Sequence, residues 1–188
     1  MLDRAKPYHI YYIQKSAPTA SQDDFSFSYI YRFYTEKTDN YQRLKYIIRA
    51  ECIEDVFAIK FYAARDRKHD KKYNRIIKAH GYINTLRVFF TCASIVPLIL
   101  EKHPMCSFVI NGAQSMDLKS KIEDRNNNQR FRIYKNIAIR LFGKHCFEHY
   151  EFKEISSYLI INKKDCLNIE EKKERIKKTF LDIYNIDM

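Results

Sequence analysis

Hydrophobic and polar positions along this chain follow two periods. Residues 8–13 predict a short strand, and Ser16–Asp24, with Pro18, a loop. Phe25–Tyr34, Tyr46–Ile53 and Val56–Tyr62 are rich in β-formers, with partial alternation. Short polar breaks at Glu36–Asn40 and Glu54–Asp55 make these three an antiparallel meander. Tyr82–His103 then predicts a long helix, with Ile83, Leu86, Phe89, Phe90, Ala93, Val96 and Leu100 on a broad buried face. Pro97 removes one of its backbone donors and should kink it, and Pro104 marks its end. Met105–Asn111 reads as a short buried strand stopping at Gly112, and Gln114–Arg125 as a polar loop.

From Asn128 to Gly143 the helical period returns. Phe131, Tyr134, Ala138, Leu141 and Phe142 form an apolar face, with Arg130, Arg132, Lys135 and Arg140 on the remaining faces. Asn128 fits an N-cap and Gly143 a helix stop. Cys146–Phe152 and Ser157–Asn162 predict a hairpin through Lys153–Ser156. Asn168 with Glu171 fits the capping box of a last helix with Ile169, Ile176, Phe180 and Ile183 as its stripe. Lys172, Lys173, Lys177 and Lys178 are expected to face water. The order predicts a single α+β domain over 1–188. Its central, mostly antiparallel sheet is flanked by helices, and residues 165–188 form a C-terminal helical appendage.

Composition narrows the chemistry. Three glycines, Gly81, Gly112 and Gly143, are too few and too scattered for a P-loop or a dinucleotide fingerprint. The five cysteines (Cys52, Cys92, Cys106, Cys146, Cys166) show no CxxC spacing and read as reduced thiols. No apolar leader opens the chain, and Val88–Leu100 is short of the ~20 residues a span requires. A soluble cytoplasmic protein without a membrane partner is therefore expected. The net charge of +11 fits an anionic partner, or serves solubility alone. Arg65, Arg67, Lys68, Lys71, Lys72, Arg75 and Lys78 concentrate it within Ala63–His80, opposed only by Asp66 and Asp70. Such a segment suits phosphates, and also suits a solvated loop.

Other constellations are incomplete. Asp55 and Lys60 have nuclease-like spacing, but Ala58 stands where a metal-binding carboxylate is needed. Arg140 and His145 match the spacing of some helical ribonucleases, but Gly143 interrupts the helix between them. His145, Cys146 and His149, with His103 and Cys106, match no zinc module, so no metal is expected.

The element order, with Asn128, Phe131 and Tyr134 at three-residue spacing and Phe142-Gly143 beyond, resembles the GCN5-related N-acetyltransferase fold over residues 25–162. It is also similar to a bacterial family of the same element order without assigned activity. The first resemblance implies acetyl-CoA as cofactor. Its phosphates would lie at Arg75, Lys78, Gly81 and Tyr82, Asn128 would place the pantetheine arm, and Tyr134 would act as general acid. That family's glycine-rich loop keeps one glycine here, Gly81, and the third meander strand carries no acid. Two functions are expected from this. The first is a non-catalytic module without cofactor, using Arg65, Arg67, Lys68, Lys71 and Lys72 for nucleic acid or an acidic protein, in conflict between bacteria and mobile elements. The second is an acetyl-CoA-dependent N-acyltransferase acting on an amine such as aminoacyl-tRNA. The oligomeric state is left open.

Overall fold

The computed structural model describes residues 5–18, 25–37, 39, 42–75, 81–115, 121–165 and 167–183. Four strands open the chain: β1 (Ile10–Ser16), β2 (Phe27–Tyr34), β3 (Lys45–Ile53) and β4 (Val56–Ala63). They pair in sequence order as an antiparallel meander, as the short polar breaks require. Helices α1 (Gly81–Ala93) and α2 (Ile95–Lys102) lead to β5 (Ser107–Asn111), which lies parallel to β4. Then come α3 (Gln129–Leu141), β6 (Phe147–Phe152), β7 (Ser157–Asn162) and α4 (Ile169–Ile183). The hairpin inserts β7 between β5 and β6, so the seven-stranded sheet runs β1-β2-β3-β4-β5-β7-β6. The β4–β5 pairing is parallel and the others are antiparallel, giving the mixed α+β sheet expected from the pattern.

Alternation assigns each strand two faces. One carries Tyr29, Tyr31, Phe33, Tyr46, Ile48, Phe57, Phe61, Phe108 and Ile160 against Val88, Phe89, Ile95 and Ile99 of α1 and α2, and Phe131 and Ala138 of α3. On the other face Ile53, Val56, Ala58, Val109, Leu159 and Ile161 meet Ile176 and Phe180 of α4. The last helix therefore closes the second face over one half of the sheet.

Several local expectations are corrected. The long helix is not merely kinked: it divides at Ser94, one turn before Pro97 and next to the Ala93 carbonyl that a proline cannot bond. Lys172 does not face water: it is buried, with Nζ 2.5 Å from the Asp55 carboxylate. Leu141 is exposed, and Ile137 takes its place in the core. Arg130, assigned to a polar face, is only 6% exposed.

The surroundings of two histidines disfavour the imidazolium. His149 Nε2 lies 3.0 Å from the Phe142 carbonyl, so it must donate there, and Nδ1 accepts from the Tyr158 hydroxyl at 3.1 Å. Burial pushes its pKa down. His103 packs among Phe27, Tyr29 and Phe57, and burial, with Lys15 and Lys102 nearby, pushes it down too. As pH falls through 6.5, the unfolded chain takes up protons that these folded sites refuse. Their contribution to stability is complete above that value and declines below it. The melting midpoint should therefore fall between about pH 7.5 and pH 5.5, and a His103→Gln/His149→Gln variant should show a shallower decline.

Candidate functional site

The parallel seam between β4 and β5 is short. Val56, Phe57 and Ala58 pair with Ser107, Phe108 and Val109, and beyond them β4 continues without β5. The strands part there because β5 turns its remaining residues, Ile110 and Asn111, to β7 alone. A cleft of about 200 Å³ opens at the split, lined by Lys60, Tyr73, Asn111, Ala113, Arg130 and Tyr134 among others.

Local structure at the start of α3 builds one wall. Asn128 is 2% exposed and caps the helix: its Oδ1 accepts from the Phe131 amide at 2.9 Å, and its Nδ2 donates to the Gly112 carbonyl. Its own amide donates to Ser156 Oγ at 2.9 Å. The Asn128 side chain thus serves the junction of β5 and α3. Gly112 permits that junction, since a Cβ there would stand 2.6 Å from Asn128 Oδ1 and 2.8 Å from the Phe131 nitrogen.

Arg130 and Tyr134, four residues apart, project from one side of α3 into the cleft. The Arg130 guanidinium donates to the carbonyls of Tyr73 and, at 2.6 Å, Arg75. Burial lowers its pKa below the usual guanidinium value, and a guanidinium remains charged under such a shift. Tyr134 meets Phe89 edge-on at 5.1 Å. Burial pushes its phenol far up, against the opposing pull of Arg130. A phenol so placed stays protonated, a hydrogen-bond donor that gives up its proton less readily than a free tyrosine.

The basic segment leaves β4 through a 3-10 turn at Ala64–Asp66 and crosses the mouth of the split. Asn74 Nδ2 donates to the Gln114 carbonyl beyond β5 at 2.9 Å, and Arg75 Nε pairs with Asp66 at 3.4 Å. Tyr73 turns back onto the sheet, edge-on to Tyr62 at 5.5 Å, with its phenol pushed up to about 12 by burial and then by Glu51. Glu51 is itself buried on β3, 2.5 Å from Lys60 Nζ and 3.6 Å from Arg49 Nε.

No family model, curated protein or solved structure matches this chain.

The residues singled out by spacing divide into three sets. Tyr134 lines the cleft, and Arg75 lies at its mouth. Arg65, Arg67, Lys68 and Lys71 are exposed, and Lys72 is half-buried over the rings of Tyr62 and Tyr73. Gly81 begins α1 with φ +64°, a left-handed value that glycine tolerates, and Tyr82 beside it is exposed. Lys78 lies outside the described residues. Sequence reasoning missed Arg130, Glu51 and Asn111. The first was detectable from its spacing to Tyr134, and Glu51 from its i, i+2 relation to Arg49 on one strand face.

Among the described residues, no group of three or more His, Cys, Asp or Glu is placed to hold a metal ion. Gly81–Lys102, 22 residues, is long and apolar enough to cross a membrane, with mean hydropathy 1.7 over an 18-residue window. Here its residues Leu86, Val88, Phe89, Ile95 and Ile99 are buried in the fold.

Proposed function

We propose that this chain is a binding protein on an acetyltransferase-like sheet, and that its basic segment receives a polyanion: nucleic acid or an acidic protein surface. The observation that carries this reading is the fastening of residues 64–75 across the split, by Arg130 and Asn74, with Arg65, Arg67, Lys68 and Lys71 left exposed. A fastened cationic segment presents its charge with less ordering entropy than a free loop. The same fastening argues against cofactor chemistry. It turns backbone carbonyls toward Arg130, whereas a pyrophosphate needs backbone donors. Among the described residues no carboxylate lines the cleft, and Glu51 nearby is paired with Lys60 and Arg49.

The test is a salt titration of binding to a labelled oligonucleotide, with heparin and polyglutamate alongside. Neutralising Arg65, Arg67, Lys71 and Lys72 together should abolish binding near ~0.15 M salt and reduce the salt slope by about three. Salt-insensitive binding, or an unchanged slope in that variant, rejects the reading. Calorimetry with acetyl-CoA at millimolar concentration should show no heat.

One observation favours a second reading, transfer of an acetyl group from acetyl-CoA to an amine. Tyr134 lines open space in the split, within which a departing thiolate would meet its hydroxyl. Acetylation of an aminoacyl-tRNA that is lost in Tyr134→Phe, with acetyl-CoA binding retained, would establish it.

A further inference from the structure

Among the described residues, α4 covers the second face of the sheet over one half. The residues packed with α4 come from the end of β3, the start of β4, and β5 and β7, together with Phe25. Across β1 to β4 the register lays out what remains. Tyr11 faces Arg32, Arg32 faces Ile47, and Ile47 faces Tyr62, so these four residues form one row across four strands. Gln14, Ile30, Arg49 and Lys60 form the neighbouring row. Alternation places both rows on the face away from α1, α2 and α3. Three strand spacings separate Tyr11 from Tyr62, about 14 Å.

Cations and rings alternate over this surface. The Arg32 guanidinium lies 5.6 Å from the Tyr11 ring centroid, and Arg43 lies 4.5 Å from that of Tyr34, which meets Tyr11 edge-on. At the other end Lys72 stands 5.3 Å from Tyr62 and 5.4 Å from Tyr73. There Tyr62 is buried beneath Tyr73 and Lys72, so the open surface over β1 to β3 ends against the basic segment. The carboxylate in reach, Glu51, is held by Arg49 and Lys60. Arg32 has no carboxylate partner among the described residues, and its Nε is buried without a hydrogen-bond acceptor. Tyr11 is 44% exposed.

We infer that this open half-face binds single-stranded nucleic acid. Bases would stack on Tyr11 and Tyr34, and phosphates would meet Arg32, Arg43 and the basic segment. The inference rests on the polyanion reading above and names the partner. Unstacked bases offer π-faces to a flat surface with rings, and Arg beside those rings adds cation–π attraction. A duplex keeps its bases stacked and would use only the cations. An acidic peptide would leave the rings unused.

Fluorescence anisotropy on the whole chain tests this, with oligo-uridine and oligo-thymidine of about 12 nucleotides, a duplex of similar length, heparin and polyglutamate. The single strands should bind more tightly than the duplex or heparin. Tyr11→Ala/Tyr34→Ala should weaken single-strand binding at least about tenfold and leave heparin binding unchanged, and Tyr11→Phe/Tyr34→Phe should restore it. Arg32→Gln should lower the single-strand salt slope by about 0.7. Equal affinity for heparin and single strands, together with indifference to the tyrosine substitutions, overturns this inference and leaves the polyanion reading standing. Preference for polyglutamate also overturns it, in favour of an acidic protein partner. Failure to bind any of the five overturns both.

Discussion

Gly112→Ala is expected to lower the thermal midpoint by about 10 °C, a large effect for one methyl group. The new Cβ would lie within 3.0 Å of Asn128 Oδ1, the Phe131 nitrogen and the Phe131 Cβ. None of these is the free end of a flexible side chain. Asn128 is pinned from both sides by its bonds to Phe131 and Gly112. The start of α3 would have to withdraw from the end of β5, weakening the cap as well as the packing. Overpacking costs roughly 1–3 kcal/mol and a lost cap about 1 kcal/mol, so about 3 kcal/mol is expected. At roughly 2–4 °C per kcal/mol for a chain of this size, the shift follows. Gly143→Ala is the control, because no atom lies within 4 Å of a Cβ there. Equal midpoints for both variants would show that the junction yields without cost.

Arg130→Met is expected to release the basic segment from the split while leaving the sheet intact. Methionine keeps much of the side-chain volume and loses both donors to the Tyr73 and Arg75 carbonyls. Hydrogen bonds from a charged donor contribute roughly 1.5–3 kcal/mol each. Losing both should favour local opening by about 3 kcal/mol, more than a hundredfold in population. Trypsin cleavage after Arg65, Arg67, Lys68, Lys71 and Lys72 reports that population when closing is faster than cutting. It should accelerate by about two orders of magnitude in Arg130→Met, and by less in Arg130→Lys, which keeps one charged donor group. An unchanged cleavage rate would mean that Asn74 alone holds the segment.

Much of this architecture could be read from local pattern, for identifiable reasons. Strands β2 to β4 place alternate side chains on two unlike faces, so their sequences alternate. The β6–β7 hairpin ends in short polar runs, and Asn128 and Asn168 stand where their side chains reach the amides of Phe131 and Glu171. What escaped reading depends on partners remote in sequence. Arg130 and Lys172 are charged, and charge alone predicts exposure. Each is buried because a distant group compensates it: two carbonyls of the basic segment for Arg130, and Asp55 for Lys172. The split of β4 from β5 was equally hidden. It arises where β5 stops pairing with β4 after Val109 and keeps only β7, its partner from Phe108 onward, and nothing in SFVIN records that limit. Tyr134 was legible as an apolar-face residue, but the cleft beside it was not.

The meander also shapes how the chain emerges during synthesis. Within it β1 to β4 pair in sequence order, so they can assemble before α1 has been made, and only the β4–β5 seam must wait for the later chain. The face they then expose carries Tyr29, Tyr31, Phe33, Tyr46, Phe57 and Phe61, with no helix yet present to shield it. Until α1, α2 and α3 leave the ribosome, this aromatic sheet stands in water. During that interval the nascent chain is most exposed to self-association and to capture by chaperones.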